Sequence, residues 1–556
     1  MKQLLQLLLF FFPLQLFAQS SYFNYSDKDN RIINRLGIKY QQNTNINFSG
    51  IKPFNRKYAV QEINRLHDSI NNKFLTASDC YNIEGLLMNN IEWVEDNPVF
   101  IQSKKSIGSS FYKTKTNFFE VDTNHFFLTV NPVLYFSFGN SSLSKKSIYL
   151  NTRGFAVRGL IGKKVGFFTY VAENQERGPI FYQQNVRSFR AVPGVGFYKL
   201  VKEDSTAFDY FDGRGYVTFN AAKYFDFQIG YDKNFIGNGY RSLFLSDYGN
   251  SYLFAKINTK IWKLNYQNIY MELIPQFIKK GDSLFSRKYA AMHHLSINVS
   301  KSVNVGLFEG VVFGRKDHFD FQYLNPIIFY RHIEGSVGSP DNAVAGIDCK
   351  VNLFHRAQLY GQLLLDEFIL SRLKNQPTNW ANKIGMQLGA KYIDAFGIKN
   401  MDLQLELNRV RPFTYSHNDT IANYTHYNQP LAHPLGANFQ ELIFTIAYQP
   451  FPKWNFNTTA IYYYKGLDSA HSNFGGDIFK NYNTRIGEDG FSIGSGIKEK
   501  CLNLNITASY EYKRNLFFEL NAQNRIYSLE GFTKSKNDFV ISASVRLNIN
   551  RRIYDQ

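Results

Sequence analysis

Long runs of this chain alternate polar and apolar residues with a period of two. Met401 to Asn408 reads MDLQLELN. Met401, Leu403, Leu405 and Leu407 project to one side of an extended strand, and Asp402, Gln404, Glu406 and Asn408 to the other. Leu502 to Lys513 repeats the pattern, Arg514-Asn515 makes a tight turn, and Leu516, Phe518, Leu520 and Ala522 carry it onward. Such runs reach ten residues or more. Strands of soluble sheets average about 5–6 residues, whereas a strand crossing a bilayer at a tilt needs about 9–11. The chain runs on to DFVISASVRLNINRRIYDQ, read as one more strand with Phe539, Ile541, Ala543, Val545, Leu547 and Ile549 on one face. A closing strand there would pair with an early one and leave no open edge.

The connections point the same way. Gly162-Lys163-Lys164, Ala222-Lys223-Tyr224 and Pro450-Phe451-Pro452-Lys453 are tight, while Glu173 to Val195 and Pro412 to Gln440 are long and polar. Short turns at one end and long loops at the other are the habit of bacterial outer-membrane barrels. Composition agrees: aromatics make up 17%, with 52 Phe and 37 Tyr, yet the mean hydropathy is −0.31. An apolar lipid face, a polar lumen and aromatic girdles give that combination. The expected fold is an all-β transmembrane barrel with a small helical N-terminal segment. About 440 residues of barrel, at roughly 25 per strand and connection, predict ~16–18 antiparallel strands.

The first residues, MKQLLQLLLFFFPLQLFAQS, have the charge, short apolar core and small residue of a secretory signal, over 1–18. Residues 19–115 are expected to form a helix-containing periplasmic segment, and 116–556 the barrel. Lys57 to Asn71 places Ile63, Leu66 and Ile70 at helical spacing. Thr76-Ala77-Ser78-Asp79 is a capping-box pattern, with Leu86, Leu87, Ile91 and Val94 following.

The net charge of +18 suits anionic surface partners such as lipopolysaccharide phosphates or acidic polysaccharide. It equally suits solubilising charge on loops. The basic residues are spread evenly, so nucleic acid is not an expected partner. Cys80, Cys349 and Cys501 are scattered and form no metal or disulfide pattern. His293 and His294 are adjacent, so on a strand they face opposite ways. His417, His426 and His433 share one loop but match no zinc spacing. No cofactor or metal is expected. Glycoside hydrolysis needs two facing carboxylates. Asp366-Glu367 and Asp341 offer carboxylates, but no spacing pairs them, and the chain is expected not to be an enzyme.

A sugar is held by aromatic faces together with Asn, Asp, Gln and Arg hydrogen bonds. Gly230 to Asp247, GYDKNFIGNGYRSLFLSD, has that mixture in Asn234, Asn238, Tyr240, Arg241 and Asp247. The competing reading is a glycine-bent barrel corner. Tyr323 to Gly346, YLNPIIFYRHIEGSVGSPDNAVAG, interrupts the alternation. It reads as an ordered fold-in between strands Val305–Phe313 and Ala345–Leu353, with Tyr330, Arg331 and Glu334 toward the lumen or the outer mouth. Asp341 and Asn342 complete the candidate ligand set.

These two stretches, with LYGQLLLDEF (Leu359 to Phe368) and YTHYNQPLAHPLGAN (Tyr424 to Asn438), occur in an order that resembles the Wzi-type capsule-assembly outer-membrane proteins. The likeness is nearest to their Bacteroidota branch, with its RemB-like gliding-motility members. It runs from about Phe127 to Gly476. The resemblance implies an outer-membrane barrel with a periplasm-facing helical bundle. It also implies a role in binding or organising capsular or other surface polysaccharide, or in gliding and adhesion machinery. A diffusion channel or transporter is the alternative.

Overall fold

The computed structural model describes residues 21–23, 27–41, 45–69, 75–94, 100–104, 106–162, 164–202, 204–221, 224–275, 284–326, 329–338, 341–367, 370–532 and 535–555. The expected secretory signal lies outside the described residues. Eighteen antiparallel strands close into one barrel, from Phe126–Ser141 to Lys536–Leu547. The closing pair runs from Val540 opposite Ser141 to Leu547 opposite Leu134. The closed ladder leaves the wall without an open sheet edge, as a wall in lipid requires.

Outward positions form the lipid belt. Phe138, Phe155, Phe211, Ile229, Leu388, Leu405, Leu504, Leu520 and Ile541 are all exposed. They lie on the apolar phase of the alternation. Among the described residues no helix is long and apolar enough to cross a membrane.

The opposite phase faces the lumen. In the half with short turns it is polar, for example Asn298, Asn304, Asn352 and Gln358, which hydrogen-bond to one another. In the other half, along the strands from Leu264 to Glu367, much of it turns apolar: Ile269, Met271, Met292, Phe308, Val312, Val344 and Leu364 point inward into one core. The alternation predicts a polar lumen. Alternation fades where both faces of the wall are apolar, one toward lipid and the other toward protein inside the barrel.

Three helices sit at the short-turn end: α1 (Asp27–Tyr40), α2 (Arg56–Ser69) and α3 (Ala77–Met88). Ile33, Leu36, Val60, Ile63, Ile83 and Leu86 make their shared core. Thr76 and Asp79 close the capping box at the start of α3. Asp79 also takes Arg35 at 2.8 Å and Lys39 at 2.5 Å. Burial alone would raise its pKa, but these two cations hold the carboxyl down at about 2. Arg35 reaches on to Asp394 at 2.6 Å, in a wall turn. Asn82 bonds Gln449 at 2.7 Å, and Arg514 bonds the Tyr81 carbonyl at 2.7 Å. The helices therefore cover the short-turn end, which in barrels of this kind is the periplasmic one.

Candidate functional site

Among the described residues, three inward connections and the tail fill the barrel above the N-terminal segment. Residues 233–251 leave the wall at the long-loop end and descend until Phe235 and Ile236 pair with Lys52 and Ile51 of the N-terminal segment. Residues 411–438 fold in beside them, burying Tyr415, Tyr424, Leu431 and Ala437 against Leu243 and Phe244. Helix α4 (Ile180–Phe189) packs Tyr182 and Val186 inward against Phe208 and Tyr210.

The fourth is the tail. The last strand stops at Leu547, not at Ile549. Asn548 takes a left-handed conformation (φ 54°) and turns the chain back into the lumen. There Arg551 meets Glu519 at 2.6 Å, and Arg552 meets Glu176 at 3.2 Å. The Tyr554 hydroxyl donates to Glu176 at 2.6 Å.

Inward polar side chains of the wall hold these segments. Glu406, fully buried, accepts from the Tyr240 amide at 2.6 Å, the Arg241 amide at 3.0 Å and the Tyr360 hydroxyl at 2.7 Å. Gln362 accepts from the Leu243 amide at 2.9 Å. Lys288 donates to the Asn423 carbonyl at 2.7 Å, and Lys391 to that of Asn238 at 2.7 Å. A Cβ on Gly239 would overlap the Glu406 carboxylate and lie 2.8 Å from Gln387 Oε1, so only glycine lets the segment approach the wall here.

The ten sequence candidates do not converge on one site. Asn234 accepts from Lys256 at 3.1 Å, and Asn238 packs under Gly50. The Arg241 guanidinium lies 3.0 Å from Asp555 and 3.5 Å from Glu441, while the Tyr240 hydroxyl donates to Asp555 at 2.9 Å. Burial opposes the Arg241 charge, but the Asp555 and Glu441 carboxylates raise its pKa above the ordinary value. The Asp247 carbonyl takes Lys233 at 3.1 Å. The glycine-bent corner is not what forms here: residues 233–247 leave the wall for the lumen. Asp341 forks with Arg315 at 2.7 and 2.6 Å and takes the Tyr323 hydroxyl at 2.6 Å. Asn342 donates to the Ala422 carbonyl at 2.9 Å.

Tyr330, Arg331 and Glu334 are a correction. They lie on helix α5 (Tyr330–Val337), which packs on the outside of the wall against Tyr270, Tyr289 and Val311. All three of these are outward positions in the strand register. The helix points neither into the lumen nor over the mouth.

The histidines serve structure. The His426 ring accepts the Ile274 amide on Nδ1 at 3.1 Å and donates from Nε2 to the Ser251 carbonyl at 3.1 Å. Burial lowers its pKa to about 4, which keeps it in that neutral tautomer. His433 bonds Glu441 at 2.7 Å. His294 faces in toward Asp348 at 2.6 Å, and His293 faces out toward Tyr330.

One sizeable opening lies at the long-loop end. A cavity of about 620 Å³ is bounded by Phe189 and Arg190, by Pro430 and Pro434 to Gly436, by Lys465 and Asp468, and by Asp477 to Lys480. The Phe189 and Phe479 rings stand 6.1 Å apart, and Lys480 lies 3.3 Å from Asp468. Aromatic faces, two carboxylates and three cations thus surround one volume. Sequence reading missed these residues because three separate loops bring them together. The only signal was that Glu173 to Val195 and Pro412 to Gln440 are long.

A closed wall, an apolar belt and a filled lumen define a plugged outer-membrane β-barrel. Among solved structures the chain is similar to Wzi of Escherichia coli, described as an outer-membrane protein involved in group 1 capsule assembly and a carbohydrate-binding β-barrel. That match has a TM-score of 0.57 and 12% identity, over 95% of this chain and 99% of Wzi. OprD of Pseudomonas aeruginosa matches with a TM-score of 0.42 and 10% identity, over 76% of this chain and 95% of its own. OccAB2 of Acinetobacter baumannii gives 0.41 and 10%, over 75% and 97%. At these identities the likeness is one of fold. No family model and no curated protein matches the sequence.

Proposed function

We propose that this barrel is a non-enzymatic surface protein that binds or organises capsular or other exopolysaccharide at its outer mouth. The observation that carries the reading is the contrast between a lumen packed by its own segments and an open, charged, aromatic-walled cavity above them. Anionic sugars fit such a cavity: rings stack on Phe189 and Phe479, and carboxylates meet Arg190, Lys465 and Lys480. The full-length similarity to a carbohydrate-binding barrel supports it. The Bacteroidota likeness, and with it a part in gliding or adhesion, rests on the sequence motifs alone.

Replacing Arg190 and Lys480 together by alanine is expected to weaken binding of extracted acidic polysaccharide at least about tenfold, equivalent to ~1.4 kcal/mol. Binding by purified protein on immobilised polysaccharide checks this. Equal binding by parent and double variant would remove the cavity from the account.

A diffusion channel or transporter is the second reading, favoured by two cavities stacked along one wall. One, of about 190 Å³, is lined by Tyr170, Tyr210, Arg214 and Lys233. The other, of about 120 Å³, lies toward the helices and is lined by Lys28, Arg56 and Arg158. Asn548, Ile549 and Asn550 line both and separate them.

A further inference from the structure

Outward residues of the strand Val303–Phe313 alternate with inward ones through Val303, Val305, Leu307, Glu309, Val311 and Phe313. Leu307 is 47% exposed and belongs to the lipid belt. Glu309 interrupts that apolar series, and its register partner His293 is also outward and polar. Lipid is a poor solvent for both. From Glu309 upward the wall is not bare. Residues 314–326 and 329–338 of the connection turn down over it and clasp it by named contacts. Tyr270 donates to the Leu324 carbonyl at 2.9 Å, and Tyr289 to that of Asp317 at 2.8 Å. Tyr266 donates to the Pro326 carbonyl, and Tyr323 stacks on Phe313 at 4.7 Å. The Arg331 amide, at the start of α5, donates to Glu309 at 3.3 Å. The Tyr330 ring stands edge-on to His293 at 4.1 Å. Glu309 thus gains a hydrogen bond from outside the barrel, while His293, bonded at Nδ1 to the Tyr266 hydroxyl of the wall itself, is covered by the Tyr330 ring.

The outer surface of this cover is itself apolar. Phe321 is 78% exposed, Phe329 76% and Leu324 41%. Large rings held open to water at that height would be costly, and they continue the apolar belt that ends at Leu307. Arg331 and His332, also exposed, lie beside Phe329 on the first turn of α5. Apolar rings flanked by a guanidinium and an imidazole are the make-up of an element lying in a membrane interface.

We infer that residues 319–326 and 329–337 form a lipid-seated flap on the outer wall of the barrel, with Phe321, Leu324 and Phe329 inserted among acyl chains of the outer leaflet at the headgroup boundary. The flap screens His293 and Glu309 from those chains. It rests on the transmembrane barrel alone and stands or falls independently of polysaccharide binding.

Single variants Phe321→Trp and Phe329→Trp, each reconstituted into vesicles of brominated phospholipid, test it. Leu307→Trp serves as the belt control and Phe479→Trp as the aqueous-mouth control. Fluorescence added over the four native tryptophans is expected to be lost to bromine as fully as for Leu307→Trp, and to resist iodide. Loss to iodide and not to bromine, as for Phe479→Trp, would overturn the inference. Protection from both quenchers would also overturn it, since a protein or a second copy would then cover the face. Either flap position alone gives the answer if the other variant fails to fold.

Discussion

Arg241→Ala is expected to release the centre of the plug while leaving the barrel wall closed. The guanidinium stands between Asp555 and Glu441, and Glu441 is almost fully buried. Removing one partner of a buried charged group strands the others and costs about 3–5 kcal/mol. The wall does not depend on this contact, because its ladder is closed by backbone pairing. The loss therefore falls on residues 236–247 and on the tail around Asp555. Hydrogen exchange should accelerate there and remain slow in the strands. Arg241→Lys keeps a charge but not the guanidinium fork, and should fall between the two. Unchanged exchange in 236–247 would mean that the pairing of Ile236 with Ile51 and the Leu243 core hold the segment unaided.

Glu176→Gln is expected to free the tail. This fully buried carboxylate accepts from Tyr182 at 2.6 Å, Tyr210 at 2.7 Å and Tyr554 at 2.6 Å, besides pairing with Arg552. An amide cannot neutralise Arg552, and a buried cation left unpaired costs about 3 kcal/mol or more. Residues 548–555 should then leave the lumen for part of the time. Trypsin, which cuts after Arg551 and Arg552, reads this directly: cleavage should be rapid in the variant and slow in the parent. Equal resistance would place the tail's hold in Arg551 and Glu519 instead.

Much of this fold is legible in the sequence, for physical reasons. A strand between lipid and polar lumen must alternate, so MDLQLELN gives both the strand and the face that Glu406 occupies. The capping box at Thr76 and the opposed faces of His293 and His294 follow from local geometry alone. The tail and the flap do not, because tertiary contacts decide them. Yet each left a trace. Arg551-Arg552 puts two cations side by side, so one of them would face lipid if the last strand continued. Glu309 sits in an outward apolar series, where a bare wall would not place a carboxylate. An outward Val311 looks alike under lipid and under α5, and only the charge beside it signals a cover. The candidate sugar residues of 234–247 bond to the inner wall and the tail, for a related reason. Asn, Tyr and Arg beside glycines suit a ligand, and equally suit a chain that must bond to the inner wall of its own barrel.

Single-channel recording in planar bilayers addresses the central claim, that the lumen is filled by the chain itself. The parent protein is predicted to give no steady conductance at voltages where open barrels of this strand number conduct, while Glu176→Gln gives intermittent openings as the two lumen cavities join. Steady pores of uniform size in the parent would contradict the account and favour a channel.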